Sequence, residues 1–240
     1  MKKFVLTTFT LVLLVTSASL YAQKRVKGEG PSVTQERSVG SFNSIHTHGS
    51  FNVTITDADN RSVKVEAQQN LQEYIIVETE GDQLHIRHKK GVNLQADKDI
   101  EIHVSVPELK GVYLSGSGNI RSTNVLTGSS SFEASSAGSG NIHLEVQTTD
   151  LKTSIAGSGD ITLKGKTTEL DGRIAGSGNI RAKELQSNNT SISISGSGNA
   201  EVVANEKLDT KIAGSGDVKY WGNGSVSSKI HGSGSIRRQN

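Results

Sequence analysis

The sequence contains no cysteine. That excludes disulfides, thiolate metal sites and a lipid-modified cysteine at a signal cleavage site, so packing and hydrogen bonds must supply all of the stability. Proline occurs only twice, too seldom for a flexible Pro/Gly-rich disordered chain. Aromatic residues make up 4% and hydrophobic residues 33% of the 240 residues, which points to a thin core of many small side chains rather than a thick globular one. Long apolar runs are missing too, with one exception at the start. Residues 1–22 have the form of a secretory signal: Lys2 and Lys3, the run Phe4–Val15, then small residues leading to Leu20-Tyr21-Ala22. The run is shorter than the roughly 20 apolar residues of a spanning helix. Its removal takes away two lysines and no acid, so the formal charge falls from +2 to 0. A neutral chain of mixed sign lacks the clustered Lys/Arg that nucleic acid demands, and no later run suits a bilayer.

What the chain has in abundance is glycine, 26 residues, of which 14 belong to seven copies of Gly-Ser-Gly. The copies begin at Gly116, Gly138, Gly157, Gly176, Gly196, Gly214 and Gly232, at spacings of 22, 19, 19, 20, 18 and 18 residues. Six are completed by Asn119, Asn141, Asp160, Asn179, Asn199 and Asp217, the last by Ser235. A fixed period of this size marks a stacked repeat. Two positions before the first glycine stand Leu114, Ser136, Ile155, Ile174, Ile194, Ile212 and Ile230; four after it stand Ile120, Ile142, Ile161, Ile180, Ala200, Val218 and Ile236. Phe132, Leu151, Leu170, Leu208 and Val226 add a third apolar column. Side chains alternate faces along a strand, so Leu151, Thr153 and Ile155 face in while Lys152 and Ser154 face out.

Each period therefore reads as strand, glycine turn, strand, turn. The expected fold is all-β, a right-handed parallel β-helix or solenoid with a circuit of about 60 Å. A propeller blade would need about 40 residues and two tetrads. The glycines supply the positive φ of a sharp corner and let successive corners stack, with the Asn/Asp column forming an axial ladder of amides.

Before the repeat, Phe51, Val53 and Ile55, then Val63, Val65 and Ala67, then Leu84 and Ile86, then Ile100, Ile102, Val104 and Val106 alternate with polar residues as half-buried strands do. Asn70–Val77 fits a helical turn and a strand equally. Gly49-Ser50-Phe51-Asn52 resembles the tetrad, which makes the first half a worn version of the same coil, about three and a half periods away. The division expected is a signal peptide over 1–22, an exposed leader over 23–40 and one domain over 41–240, irregular over 41–112 and regular over 113–240.

The tetrads at this spacing, preceded by Ile102-His103-Val104-Ser105-Val106-Pro107-Glu108-Leu109, resemble the putative auto-transporter adhesin head GIN domain family over residues 40–236. The resemblance implies a secreted, mostly β-helical protein of a bacterial envelope, in the periplasm, at the cell surface or outside the cell. It brings no catalytic residue and no cofactor, and the ending Ile236-Arg237-Arg238-Gln239-Asn240 holds no barrel or anchor.

Candidate chemistry is sparse. Only Asp160 and Asp217 put carboxylates in the tetrads, and neutral asparagines do not balance calcium. His46, His48, His85 and His88 lack a completing acid or thiolate, so no metal is expected. Asp150 and Glu169, one period apart, with Asp171 and Asp209, are the acids a polysaccharide-cleaving β-helix enzyme would use; solvated surface acids are the plainer account. Outward positions carry a broken basic stripe, Lys152, Arg173, Lys211 and Lys229, interrupted by Ser191 and Ser193. Tyr220 and Trp221 either stack on sugar rings or plug the core. The function these features favour is a non-enzymatic binding or adhesive module that presents a repetitive flank to a glycan, an envelope polymer or another protein. Self-assembly through an open last coil is a third class, with Arg237 and Arg238 placed to oppose it.

Overall fold

The structure, a computed structural model, describes residues 24–240; the signal sequence expected over 1–22 lies outside them. Strands β1 (Lys24–Lys27) and β2 (Ser32–Arg37) come first, then β3 (Ser44–Gly49) and β4 (Asn52–Asp57). The chain continues through β5 (Ser62–Gln68), a 3₁₀ turn (Gln69–Tyr74), β6 (Ile75–Glu80), β7 (Gln83–His88), β8 (Val92–Gln95) and β9 (Glu101–Val106). Regular coils follow: β10 (Gly111–Gly116), β11 (Asn119–Leu126), β12 (Ser131–Gly138), β13 (Asn141–Gln147), β14 (Asp150–Gly157), β15 (Ile161–Gly176) and β16 (Ile180–Gly196). The last are β17 (Ala200–Val203), β18 (Lys207–Gly214), β19 (Val218–Trp221), β20 (Ser225–Gly232) and β21 (Ile236–Arg238). The molecule is an all-β solenoid of stacked parallel coils, of about six turns.

Two parallel faces run the length of the stack. The first holds β7, β3, β10, β12, β14, the second halves of β15 and β16, β18 and β20; Gly49, Gly116, Gly138, Gly157, Gly176, Gly196, Gly214 and Gly232 superpose in register along its end. The second holds β9, β4, β11, β13, the first halves of β15 and β16, β17, β19 and β21. Between the faces lies the core. Ile155, Ile174, Ile194 and Ile212 are buried in one column, with Ile142, Ile161, Ile180, Ala200 and Val218 buried opposite. Ser136, the polar member of the first column, donates its hydroxyl to the Gly140 carbonyl at 3.1 Å, so its burial leaves no orphan group.

The corner explains the tetrad atom by atom. The carbonyl of a first glycine accepts N–H groups from the next coil, two in most tiers: Ser158 N and Gly159 N donate to Gly138 O at 2.9 and 3.1 Å, and Ser177 N and Gly178 N to Gly157 O at 2.9 and 3.1 Å. The carbonyl reaches this pair only across bare backbone. Gly157 has φ +138°, and a Cβ on it would lie 2.3 Å from Gly138 O; one on Gly159 would lie 2.0 Å from Gly140 O.

Tier order departs from chain order in the first half. β3 and β4 lie directly beneath β10 and β11, so Gly49 and Gly116 are neighbours rather than three and a half periods apart. The intervening residues pass below them: β7 and β9 form the next tier down, and β6, β5 and β2 close that end by antiparallel pairing. An out-of-order tier of this kind leaves no trace in sequence spacing. Both readings of Asn70–Val77 are met, by the 3₁₀ turn with buried Leu71 and by β6. The stretch read as an exposed leader is largely exposed but also holds β1, paired with β8, and β2, paired with β5.

A second difference concerns the turn expected between coils. β15 and β16 run on as single strands of 16 and 17 residues. They bend where Thr167 and Ser187 point inward; Thr167 Oγ1 donates to Thr149 O and Glu169 O, both at 2.9 Å, and Ser187 Oγ to Asn189 O at 3.0 Å. The hydroxyls satisfy backbone carbonyls at the bend, so no separate turn is needed.

Candidate functional site

In-register stacking turns every outward residue into a member of a column, with about 4.8 Å between tiers. On the first face Ser154, Arg173, Ser193, Lys211 and Lys229 follow one another. Lys152 belongs to the adjacent column, continued by Asp171, Ser191 and Asp209, and Asp150, Glu169, Asn189 and Lys207 form a third. The residues read as one basic stripe thus fall into two columns: Arg173, Lys211 and Lys229, interrupted by Ser193, in one, and Lys152, with Ser191, in the other. All four cations are exposed. Arg173 pairs with Asp171 at 3.0 Å, while among the described residues neither Lys211 nor Lys229 joins an ion pair.

Along the edge of this face lies a trough of about 510 Å³ floored by Leu151, Leu170 and Thr190 and rimmed by Asp150, Glu169, Asp171, Asp209, Lys152 and Lys207. Asp150 and Glu169 are direct neighbours across two strands. Three of the four acids are already engaged. Asn189 Nδ2 donates to Glu169 Oε1 at 2.7 Å, Arg173 holds Asp171, and Lys207 Nζ lies 2.6 Å from Asp209 Oδ2. Asp150 and Glu169 are both exposed.

Tyr220 and Trp221 lie elsewhere, on the second face in β19. Tyr220 stacks in register on buried Val202 and packs against the core; Trp221 follows Val203 and is half-buried. The structure thus divides the six predicted binding residues between two faces.

The second face carries the amide ladder. Asn119 Nδ2 donates to Asn52 Oδ1 at 3.0 Å and Asn141 Nδ2 to Asn119 Oδ1 at 3.1 Å. From there each side-chain oxygen accepts the backbone N–H of the next tier: Asp160 N to Asn141, Asn179 N to Asp160, Asn199 N to Asn179, Asp217 N to Asn199 and Ser235 N to Asp217, all between 2.8 and 3.1 Å. The two aspartates are part of this ladder. Burial raises the Asp160 carboxyl, but hydrogen bonds from the side chains of Asn179 and Arg181 and from the Asn179 N–H outweigh it and hold the group below the ordinary aspartate value. Asp217 is held low by the Ser235 hydroxyl, against some desolvation, and by the Ser235 N–H.

The histidines form an arrangement that spacing did not show. His46 is stacked between His85, with centroids 5.1 Å apart, and Tyr113, at 4.3 Å, while His48 lies 6.4 Å from His85. Tyr113 Oη donates to Glu133 Oε2 at 3.0 Å, and burial with that bond pushes its pKa up to about 12. Desolvation, then the neighbouring His85 and His48, hold His46 below the ordinary histidine value, against the charges of Asp82 and Glu133. His88 meets Phe51 edge-on at 4.5 Å, and burial lowers it too. The only prior signal was that both His46 and His85 sit at outward strand positions, and nothing in the sequence said their strands are neighbours. Among the described residues no three His, Cys, Asp or Glu side chains are grouped to hold a metal ion, and no helix is long and apolar enough to cross a membrane.

A parallel solenoid whose faces carry columns of mixed charge belongs to the repeat proteins built of stacked coils. Among these, the chain belongs to the family described as "Putative auto-transporter adhesin, head GIN domain", whose model matches residues 41–224. A solved putative adhesin from Bacteroides fragilis is 25% identical, with a TM-score of 0.85 over 89% of this chain and all of that one. A putative lipid binding protein from Parabacteroides distasonis is 28% identical at a TM-score of 0.74, and a putative adhesin from the same organism 26% identical at 0.70; each match covers 90% of this chain and all of the other. No curated protein matches.

Proposed function

We infer that this is an exported, non-enzymatic adhesive module that binds an extended glycan or envelope polymer along its first face. The observation that supports this is the register itself. It sets Arg173, Lys211 and Lys229 in one column, interrupted by Ser193, and many weak polar contacts along such a column sum to avidity. The family description and the adhesin-named relatives agree with an exported binding role. Exposed side chains such as these give each contact little energy alone, so the module favours long polymers over short oligomers.

The test is an array of glycans and cell-wall polymers probed with the protein, and with a variant carrying Arg173→Ser and Lys211→Ser. Polymer binding is expected to fall at least tenfold in the variant, with short oligosaccharides bound weakly by both. The trough with Asp150 beside Glu169 favours a second reading, cleavage of a polysaccharide. Appearance of reducing ends or unsaturated products, lost in Asp150→Asn or Glu169→Gln, would establish that reading and displace the first.

A further inference from the structure

The two ends of the stack are built differently. At one end antiparallel β6, β5 and β2 close the lowest tier. At the other, every residue of β20 is exposed. Val226 is 43% and Ile230 39% exposed, although they continue the columns of Leu208 (0%) and Ile212 (1%). The backbone is open there as well. Ser225 N donates down to Glu206 O at 2.9 Å, and in a parallel strand alternate residues direct their N–H and C=O to opposite sides. Val226, Ser228 and Ile230 therefore present both groups outward, and no described residue takes them. The last tier carries charge of a single sign: β20 and β21 hold Lys229, Arg237 and Arg238 and no acid, and Lys229 stands over Lys211 in one outward column.

We propose that this end of the solenoid is a docking edge for an extended acidic polypeptide strand, added to β20. Such a strand matches all three features. Its backbone pairs with the free N–H and C=O groups, its inward apolar side chains cover Val226 and Ile230, and its outward acids meet Lys229, with Lys211 one tier beneath. A second copy of this chain fits less well. Its own open end would bring Lys229, Arg237 and Arg238 against their own copies, and its other end is already closed by antiparallel strands. An anionic polysaccharide answers the charge but neither the backbone ladder nor the apolar pair.

The experiment titrates the purified protein into a fluorescein-labelled ten-residue peptide of alternating Val and Glu, and into its Val/Lys counterpart, followed by fluorescence anisotropy. Saturable binding of the Val/Glu peptide alone is expected, weakened at least tenfold by Ser228→Pro, which removes an N–H that bonds nothing inside the solenoid. Lys229→Glu is expected to weaken it also. Thermal midpoints report folding; should Ser228→Pro misfold, Val226→Glu at an exposed position serves in its place. Failure of the Val/Glu peptide to bind, equal binding of both peptides, or wild-type affinity in a folded Ser228→Pro protein would overturn the proposal. So would a concentration-dependent dimer in sedimentation that Ser228→Pro abolishes, which puts a second copy on the edge. Polygalacturonate displacing the peptide equally from wild-type and Ser228→Pro protein would do the same.

Discussion

A single methyl group is enough to test how the corner works. Gly157 takes φ +138°, and its Cβ would sit 2.3 Å from a backbone oxygen with nowhere to retreat. Gly157→Ala therefore combines a disfavoured conformation with loss of the shared carbonyl acceptor, and is expected to lower unfolding stability by about 3 kcal/mol or more in urea titrations. A loss of a few tenths would mean the corner relaxes freely. Asp160 makes a subtler case. Its carboxyl is held low, so the stability it adds is complete above the ordinary aspartate range and disappears as pH falls through the lower folded value. Asp160→Asn keeps the ladder acceptor but loses the ion pair with half-exposed Arg181. It is expected to cost about 0.5 kcal/mol at pH 7 and to leave the variant less acid-sensitive below about pH 4. Equal acid sensitivity in both proteins would show that the ladder does not depend on this charge.

Elements show which parts of the molecule could be read from the sequence. The coils over 113–240 were legible because one period carries both the corner glycines and the inward Ile and Leu; Ile155, Ile174 and Ile212 face the core as their spacing requires. The hydroxyl bends were equally visible in principle, since Thr148, Thr167 and Ser187 recur two residues before Asp150, Glu169 and Asn189. A Ser or Thr hydroxyl marks a turn more weakly than glycine or proline does, so these positions read as breaks between strands rather than as bends within one. The His46–His85 contact was invisible: it depends on β7 passing beneath β3, a choice made by tertiary packing. Of the candidate site, the outward facing of Arg173, Lys211 and Lys229 was legible from parity, whereas the separate column of Lys152 depends on register and the trough on the shape of the bend. Two predictions belong at this scale. Thr210 buries a hydroxyl with no partner among the described residues, so Thr210→Val is expected to stabilise by about 1 kcal/mol by calorimetry; destabilisation would reveal an unseen partner. The second concerns His46 and His88, which the fold holds below the ordinary histidine value. Above about pH 6.5 both states are neutral and the histidines contribute nothing. Below it the unfolded chain takes up protons that the fold resists, so stability falls with pH. His46→Phe preserves the stack on Tyr113, and together with His88→Leu should flatten the decline in thermal midpoint between pH 7.5 and 5. An unchanged slope would assign the decline to other groups.

At the scale of the whole molecule, stability is a sum over tiers and their interfaces, because each coil touches only its neighbours. An inner coil has two such interfaces; the coil of β20 and β21 has one, and its apolar residues are half in water. The opposite end has antiparallel strands in place of the missing neighbour. Opening free energies should therefore rise steeply from the β20 end and stay high toward the other at neutral pH. Amide exchange followed by mass spectrometry or NMR is expected to find Val226, Ser228 and Ile230 near intrinsic rates, with the amides around Ile174 and Ile194 among the slowest. Introducing Gly157→Ala in the middle separates two physical pictures. If coupling is between nearest neighbours, exchange quickens in the coils of Gly138, Gly157 and Gly176, while the β3–β10 tiers keep their protection. Uniform quickening along the chain would show that the stack opens only as one unit, and that the column of Arg173, Lys211 and Lys229 is maintained by the entire solenoid rather than by the tiers that carry it.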